Sequence, residues 1–210
     1  MNVFVLCTGR SGSLTFSRAA SHIRNFSVGH ESKSKLVGDA RLAYSSHHIE
    51  VDNRLTWILG RLGESFGDDA FYVHLTRNDE ETARSFNKRW HVKEGIIAAY
   101  RDAILMGAEA DPIEVCSDYV DTVNSNIRAF LKDKPNKMHF EVERAQQHWP
   151  IFWQKIGAAG DMQAALEEWN ISHNAQAHQP SVLRRLWPER LSSGILRQLQ
   201  QVGPRLSLRH

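Results

Sequence analysis

The start of the chain combines a short apolar run, a glycine-containing loop and a helical pattern. Residues 2–7 read NVFVLC, residues 8–13 read TGRSGS, and a helical pattern follows over 13–23. An apolar run of this kind is typical of a buried parallel strand. Glycines permit a tight turn whose backbone N–H groups face an anion, and the positive end of the next helix adds to that attraction. The sequence therefore predicts an anion-binding loop between a first strand and a first helix, with an ordinary strand-to-helix turn as the alternative.

Apolar runs and helical patterns then alternate along the chain. We predict strands at 25–29, 70–77 and 137–142, helices at 52–66, 94–106 and 112–132, and further helix to about residue 169. Polar residues 30–48 are predicted to form a loop over the site. The alternation indicates an α/β fold with a mainly parallel sheet, in which ligands bind at the carboxyl ends of the strands. We expect a single domain over 1–172 and a loosely ordered C-terminal tail over 173–210.

Composition narrows the functional classes. A chain of 210 residues with 41% hydrophobic content can form one domain with a full core. The net charge of +2 gives no strong field for nucleic acid or a membrane surface, and the eleven histidines lack the paired spacing of a zinc site. The apolar run at 2–7 is too short for a signal peptide or a transmembrane segment. We therefore expect a reduced, cytoplasmic protein, with Cys7 as a small buried hydrophobe.

The loop at 8–13 differs from an ATP-binding loop. Arg10 stands between the glycines, and no lysine followed by serine or threonine closes the loop. No later strand ends in an evident acidic ligand for magnesium either. Nucleoside triphosphates ordinarily require those groups, whereas an arginine fork with the hydroxyls of Ser11 and Ser13 suits other oxyanions.

A second motif follows the strand at 70–77. Residues 73–90 read VHLTRNDEETARSFNKRW, so Arg77 ends a strand and Ser85 stands eight positions later in a helix that Asn78 is predicted to cap. An arginine and a hydroxyl so placed can clamp a second phosphate, away from the first loop. Arg89 and Trp90 end this helix and are candidates for lining the nucleotide or acceptor site, with core packing as the alternative for Trp90.

Together, the motifs CTGRSGSLTF and HLTRNDEETARSF resemble those of the sulfotransferases that use 3′-phosphoadenosine 5′-phosphosulfate. The resemblance implies a P-loop NTPase-like fold, a three-layer α/β sandwich with a helical C-terminal half. It implies transfer of a sulfuryl group to a hydroxyl acceptor, which is a small molecule or a glycan such as a carbohydrate or glycolipid, without a metal ion. A small-molecule P-loop kinase and a non-catalytic nucleotide-binding relative remain the alternatives. Neither the acceptor nor the oligomeric state can be predicted from the sequence.

The resemblance also implies roles for individual residues. The 5′-phosphosulfate side is assigned to six loop residues: Gly9, Arg10, Ser11, Gly12, Ser13 and Leu14. The 3′-phosphate side is assigned to Arg77 and Ser85. Leu14 departs from the family, which commonly has a second hydroxyl at that position, so we expect the helix N-terminus to hold more of the anion. The basic C-terminal segment of some members has no clear match here, and Arg184 and Arg185 are the nearest candidates.

Catalysis by this family requires a base for the acceptor hydroxyl. The resemblance places a glutamate or histidine just after the second strand or in the next loop. Glu31 in the Gly29–His30–Glu31 run is the first candidate, and His48 is the second. Three other residues remain open: His30, His47 and Glu50, the last of which also suits the start of the helix at 52–66. Arg10 is predicted to stabilise charge on the bridging and leaving oxygens.

Overall fold

Five parallel strands form one sheet in the computed structural model, which describes residues 1–107 and 109–171. The strands are β1 (Val3–Leu6), β2 (Ser27–His30), β3 (His48–Val51), β4 (Phe71–Thr76) and β5 (Lys137–Glu141). Their order is β2-β3-β1-β4-β5, and every pairing is parallel. All the carboxyl ends therefore lie at one edge, with that of β1 near the centre, where ligands bind in such sheets.

Seven α-helices connect and follow the strands in the described part of the chain. They are α1 (Ser13–Ala20), α2 (Leu59–Phe66), α3 (Asp79–Asn87), α4 (Ile96–Ala99), α5 (Pro112–Leu131), α6 (Ala145–Lys155) and α7 (Met162–Glu167). The 3₁₀ turn Asn53–Trp57 precedes α2, and the π-helical turn Tyr100–Ile104 extends α4.

The alternation of side chains along β1 divides the core into two clusters. Val3 and Val5 belong to the cluster that includes residues of α1, α6 and α7, and Phe4 and Leu6 belong to the cluster that includes residues of α2 to α5. Burial on both faces explains why β1 reads as a continuous apolar run. The result is a three-layer α/β sandwich with a parallel sheet, as predicted.

Strand β3 is the main element that the sequence did not predict, because residue 48 was assigned to a loop and 49–51 to no element. Two of its four residues are polar, yet His48 and Glu50 are buried. His48 Nε2 lies 2.9 Å from Glu50 Oε2, so each polar side chain has a partner inside the fold. The role of Glu50 at a helix start is therefore wrong, since it lies within a strand.

Two predicted helices are also interrupted. The 52–66 region begins with the 3₁₀ turn Asn53–Trp57, which Asp52 caps by accepting a hydrogen bond from Arg54 N, and α2 follows separately. The 94–106 region contains only α4 and the π-helical turn. Prediction of the other helices was closer, including Asn78 as the cap of α3 and Pro112 at the start of α5. The predicted tail at 173–210 lies outside the described residues.

Candidate active site

The loop after β1 is held in a conformation that favours glycine. Gly9 and Gly12 each have φ of 82°, and Arg10 between them has φ of 58°. A Cβ on Gly9 would lie 2.6 Å from Asn53 Nδ2, and one on Gly12 would lie 2.9 Å from Val142 Cγ2. Both glycines are thus required by backbone conformation and by close approach of neighbouring side chains.

The carbonyl of Thr8 fixes the base of this loop. It accepts a hydrogen bond of 2.7 Å from the hydroxyl of Tyr119 on α5, and Asn53 Nδ2 lies 3.5 Å away. Sequence reasoning assigned Tyr119 only to an apolar stripe of α5 and did not single out Asn53. No local pattern could have shown either contact, because both depend on how distant elements pack. Burial also raises the pKa of the Cys7 thiol to about 12, so Cys7 is neutral.

The N-terminus of α1 has the features of an anion site. No side chain caps it, and its first turn contains no acidic residue. Ser11 is 1% exposed, and its Oγ has no hydrogen-bond partner within residues 1–107 and 109–171. The first turn of α1 contains the hydroxyl of Ser13, the apolar Leu14 and the buried Thr15. Glycine turns and an uncapped helix N-terminus fit the phosphosulfate group that the sequence motif implies.

The two sequence motifs meet in the fold. Arg10 Nε donates a hydrogen bond of 3.0 Å to Ser85 Oγ, which joins the loop after β1 to α3. Arg77 lies directly after β4 and contacts Glu81 on α3, with its Nε 3.1 Å from Oε2. Burial lowers the pKa of Arg10, and the nearby charges of Arg89 and Arg77 lower it further. Arginine side chains thus converge where an anion would relieve their repulsion.

Two of the candidate bases lie at the carboxyl end of β2. His30 ends the strand, and its Nε2 is 3.3 Å from Ser13 Oγ in the first turn of α1. Glu31 follows with φ of 51°, and its Oε2 accepts a hydrogen bond from Arg54 Nη1. The Glu31 side chain is 33% exposed, so a hydroxyl can reach the carboxylate from solvent.

Two of the other candidate bases, His47 and His48, lie at the amino end of the sheet. His48 N is 3.3 Å from Asn2 Oδ1 at the amino end of the sheet, and its Nδ1 lies 2.9 Å from Ser27 Oγ. The structure does not bring this buried side chain to the loop after β1, because the strand register places it at the opposite edge. Exposed His47 contacts the Phe26 ring at the same end. Glu50 is fully buried and accepts hydrogen bonds from Ser32 N and Oγ.

A groove of about 860 Å³ lies between β4, β5 and α5, with Arg77 among its lining residues. His74 Nε2 is 3.1 Å from Asn124 Oδ1, and Asn124 Nδ2 donates to Asp79 Oδ1 at 3.0 Å. Burial lowers the pKa of His74 to about 4, so this side chain is neutral at pH 7. Besides these polar groups, charged side chains of both signs line the groove, among them Arg128, Lys137 and Glu141.

Neither a protein-family model nor a curated protein sequence matches the chain. A solved structure, "Sulfotransferase Domain from the Curacin Biosynthetic Pathway", is similar over 79% of this chain and 76% of that chain, with a TM-score of 0.54 and 16% identity. Identity this low establishes the architecture alone.

The chain has the same fold as that sulfotransferase domain. This confirms the predicted P-loop-like α/β class, and the anion-binding roles of the individual residues stay predictions.

Two further findings concern metal ions and membranes. Among residues 1–107 and 109–171, no group of three or more His, Cys, Asp or Glu side chains is arranged to hold a metal ion. None of the helices in those ranges combines the length and apolar character needed to cross a bilayer.

Proposed function

We propose that the protein is a sulfotransferase that moves a sulfuryl group from 3′-phosphoadenosine 5′-phosphosulfate to a hydroxyl acceptor. The contact between Arg10 and Ser85 carries this proposal, because it brings the two anion-binding motifs to one place at the carboxyl edge of the sheet. Similarity to the fold of a sulfotransferase domain supports it independently.

Different residues of the proposed site would bind the two phosphate groups of the nucleotide. The loop at 8–13 and the N-terminus of α1 would hold the 5′-phosphosulfate through backbone N–H groups and the Ser13 hydroxyl. Arg77 and Ser85 would hold the 3′-phosphate, the arginine through its planar fork. The nucleotide would thus be held at two phosphates by neighbouring groups, because Arg10 of the loop contacts Ser85 of the second motif.

Catalysis also requires stabilisation of the charge on the phosphate oxygens and removal of the proton from the acceptor hydroxyl. When bound, the donor supplies an activated sulfuryl group. Arg10 stabilises the negative charge that develops on the bridging and leaving phosphate oxygens. Glu31 would accept the proton of the acceptor hydroxyl as the acceptor oxygen bonds to sulfur, while the bond between sulfur and the bridging phosphate oxygen breaks and adenosine 3′,5′-bisphosphate leaves. His30 is the alternative base, because its imidazole already lies against Ser13 in the first turn of α1.

The acceptor is proposed to be a small molecule or a glycan that carries a free hydroxyl. It must bring that hydroxyl within hydrogen-bond reach of Glu31 while the donor occupies the loop. This requirement places the acceptor at the carboxyl ends of β2 and β3, where Glu31 and Arg54 lie.

A thermal-shift comparison tests the nucleotide class. Adenosine 3′,5′-bisphosphate should raise the unfolding temperature of the protein more than ATP with magnesium, because a ligand that binds only the folded state stabilises it by mass action. A larger shift with ATP and magnesium would favour the kinase alternative and overturn the proposal. Adenosine 5′-monophosphate serves as a control for binding that does not involve the 3′-phosphate.

A further inference from the structure

Arg89 lies one turn beyond Ser85 at the end of α3. The helix ends at Asn87, and Arg89 N continues the turn by donating to Phe86 O at 2.8 Å. Residues four apart in a helix lie on the same face. The turn that follows Asn87 keeps Arg89 near the side of α3 where Ser85 meets Arg10, and the charge of Arg89 lowers the pKa of Arg10.

The turn that carries Arg89 is anchored on both sides. Phe86 is buried, 4% exposed, against Tyr119. The guanidinium of Arg101 lies 4.5 Å from the centre of the Trp90 ring, and Arg101 Nη1 donates to Trp90 O at 3.2 Å. Because Phe86 and Trp90 lie on either side of Arg89 in sequence, these contacts hold the backbone at Arg89 in place.

The charge of Arg89 is not neutralised by a carboxylate in the described part of the chain. Arg77 and Arg84 form ion pairs with Glu81 and Glu80 along α3, whereas Arg89 forms none with residues 1–107 and 109–171. Its side chain is half-buried, like that of Arg10. A partly buried cation near Arg10 offers a bound anion an additional positive partner.

We propose that Arg89 is a third ligand of the nucleotide 3′-phosphate, and the second cationic one, beside Arg77 and Ser85. This inference rests on the proposed function. A phosphate monoester carries between one and a half and two negative charges at pH 7, roughly. A second arginine matches that charge better than Arg77 alone, which already pairs with Glu81. Arg89 therefore makes the site selective for nucleotides that carry the 3′-phosphate.

Calorimetric titration of the Arg89→Gln variant tests this role with two nucleotides. Adenosine 3′,5′-bisphosphate should bind the variant about ten-fold or more weakly than wild type, since charge-assisted hydrogen bonds are strong. Adenosine 5′-monophosphate, which lacks the 3′-phosphate, should bind both proteins within about two-fold. The matched control is Arg84→Gln, because Arg84 is on the same helix with a side chain 67% exposed. Arg89→Lys should recover part of the affinity by restoring the charge.

The outcomes separate the inference from the proposed function. Unchanged affinity of Arg89→Gln for adenosine 3′,5′-bisphosphate, when wild type binds it, overturns the role of Arg89 and leaves the proposed function intact. Equal weakening of both nucleotides also overturns it, because Arg89 would then not act on the 3′-phosphate. Failure of wild type itself to bind adenosine 3′,5′-bisphosphate overturns the proposed function and this inference together. Equal unfolding temperatures of the unliganded proteins show that the substitution leaves the fold intact.

Discussion

At the scale of single residues, Gly12 shows why the loop after β1 has its sequence. Its φ of 82° is costly for any residue with a Cβ, and such a Cβ would contact the branched side chain of Val142 at 2.9 Å. The glycine therefore lets the chain turn while Val142, which directly follows β5, packs against the loop. Sequence alone predicted the turn but not the neighbour that presses on it.

Substitution of Gly12 by alanine should destabilise the protein more than the same change at Gly38. Gly38 also has a positive φ, 60°, but its added Cβ would meet nothing within 4 Å. We expect a cost of about 1 kcal/mol at Gly38 from backbone strain, and about 1–3 kcal/mol more at Gly12 from overpacking. Urea unfolding of both variants measures the difference. Equal losses of unfolding free energy in the two variants would show that Val142 shifts away from the added methyl group without cost.

Glu31 provides the second residue-scale prediction. In an assay with any hydroxyl acceptor that wild type sulfates, Glu31→Gln should reduce turnover by about 100-fold or more, because an amide cannot accept the proton. Affinity for adenosine 3′,5′-bisphosphate should change little, since the carboxylate contacts Arg54 and not the loop. The matched variant is His30→Gln. Full loss in His30→Gln with normal turnover in Glu31→Gln would transfer the role of base to His30.

At the scale of elements, β3 shows what the sequence could not predict. The strand HIEV alternates polar and apolar residues although both of its faces are buried. His48 and Glu50 are satisfied by one another, and Glu50 also accepts two hydrogen bonds from Ser32 in the loop after β2. Those partners become visible only when the strands pair. From sequence alone, the polar residues of this segment therefore favour a loop over a buried strand.

The contact between β4 and α5 predicts a pH dependence. His74 is 6% exposed, and burial lowers its pKa from 6.5 to about 4, with smaller contributions in the same direction from His139 and Arg128 and an opposing one from the Asn124 hydrogen bond. The folded state thus disfavours the proton. The associated stability is complete above pH 6.5 and is lost as the pH falls towards 4.

Wild type should therefore lose about 2 kcal/mol more stability between pH 7 and pH 5 than His74→Gln, at roughly 1.4 kcal/mol per pKa unit. Glutamine has no proton to gain over this range and retains an N–H donor for Asn124. Urea unfolding at the two pH values gives the comparison. An identical pH dependence in the two proteins would mean that His74 is protonated as easily in the folded state as in the unfolded one.

At the scale of the whole molecule, the two motifs predicted that the loop at 8–13 and Arg77 lie at the same edge of the sheet. A glycine loop after one strand and Arg77 after another must meet at the carboxyl edge if both strands are parallel. Their direct contact through Arg10 and Ser85 could not be predicted, because it depends on the position of α3 above the sheet. Tyr119 is a similar case, since only the packing of α5 brings its hydroxyl to Thr8.

We propose above all that the protein binds one nucleotide through two phosphates, at the 3′ and 5′ positions of its ribose. Calorimetric titration with adenosine 3′,5′-bisphosphate tests it most directly, with wild type and Arg77→Ala side by side. We predict saturable binding by wild type and an affinity at least about ten-fold lower in Arg77→Ala, through loss of charge-assisted hydrogen bonds. Absence of binding by wild type, or equal binding by the two proteins, would contradict the account.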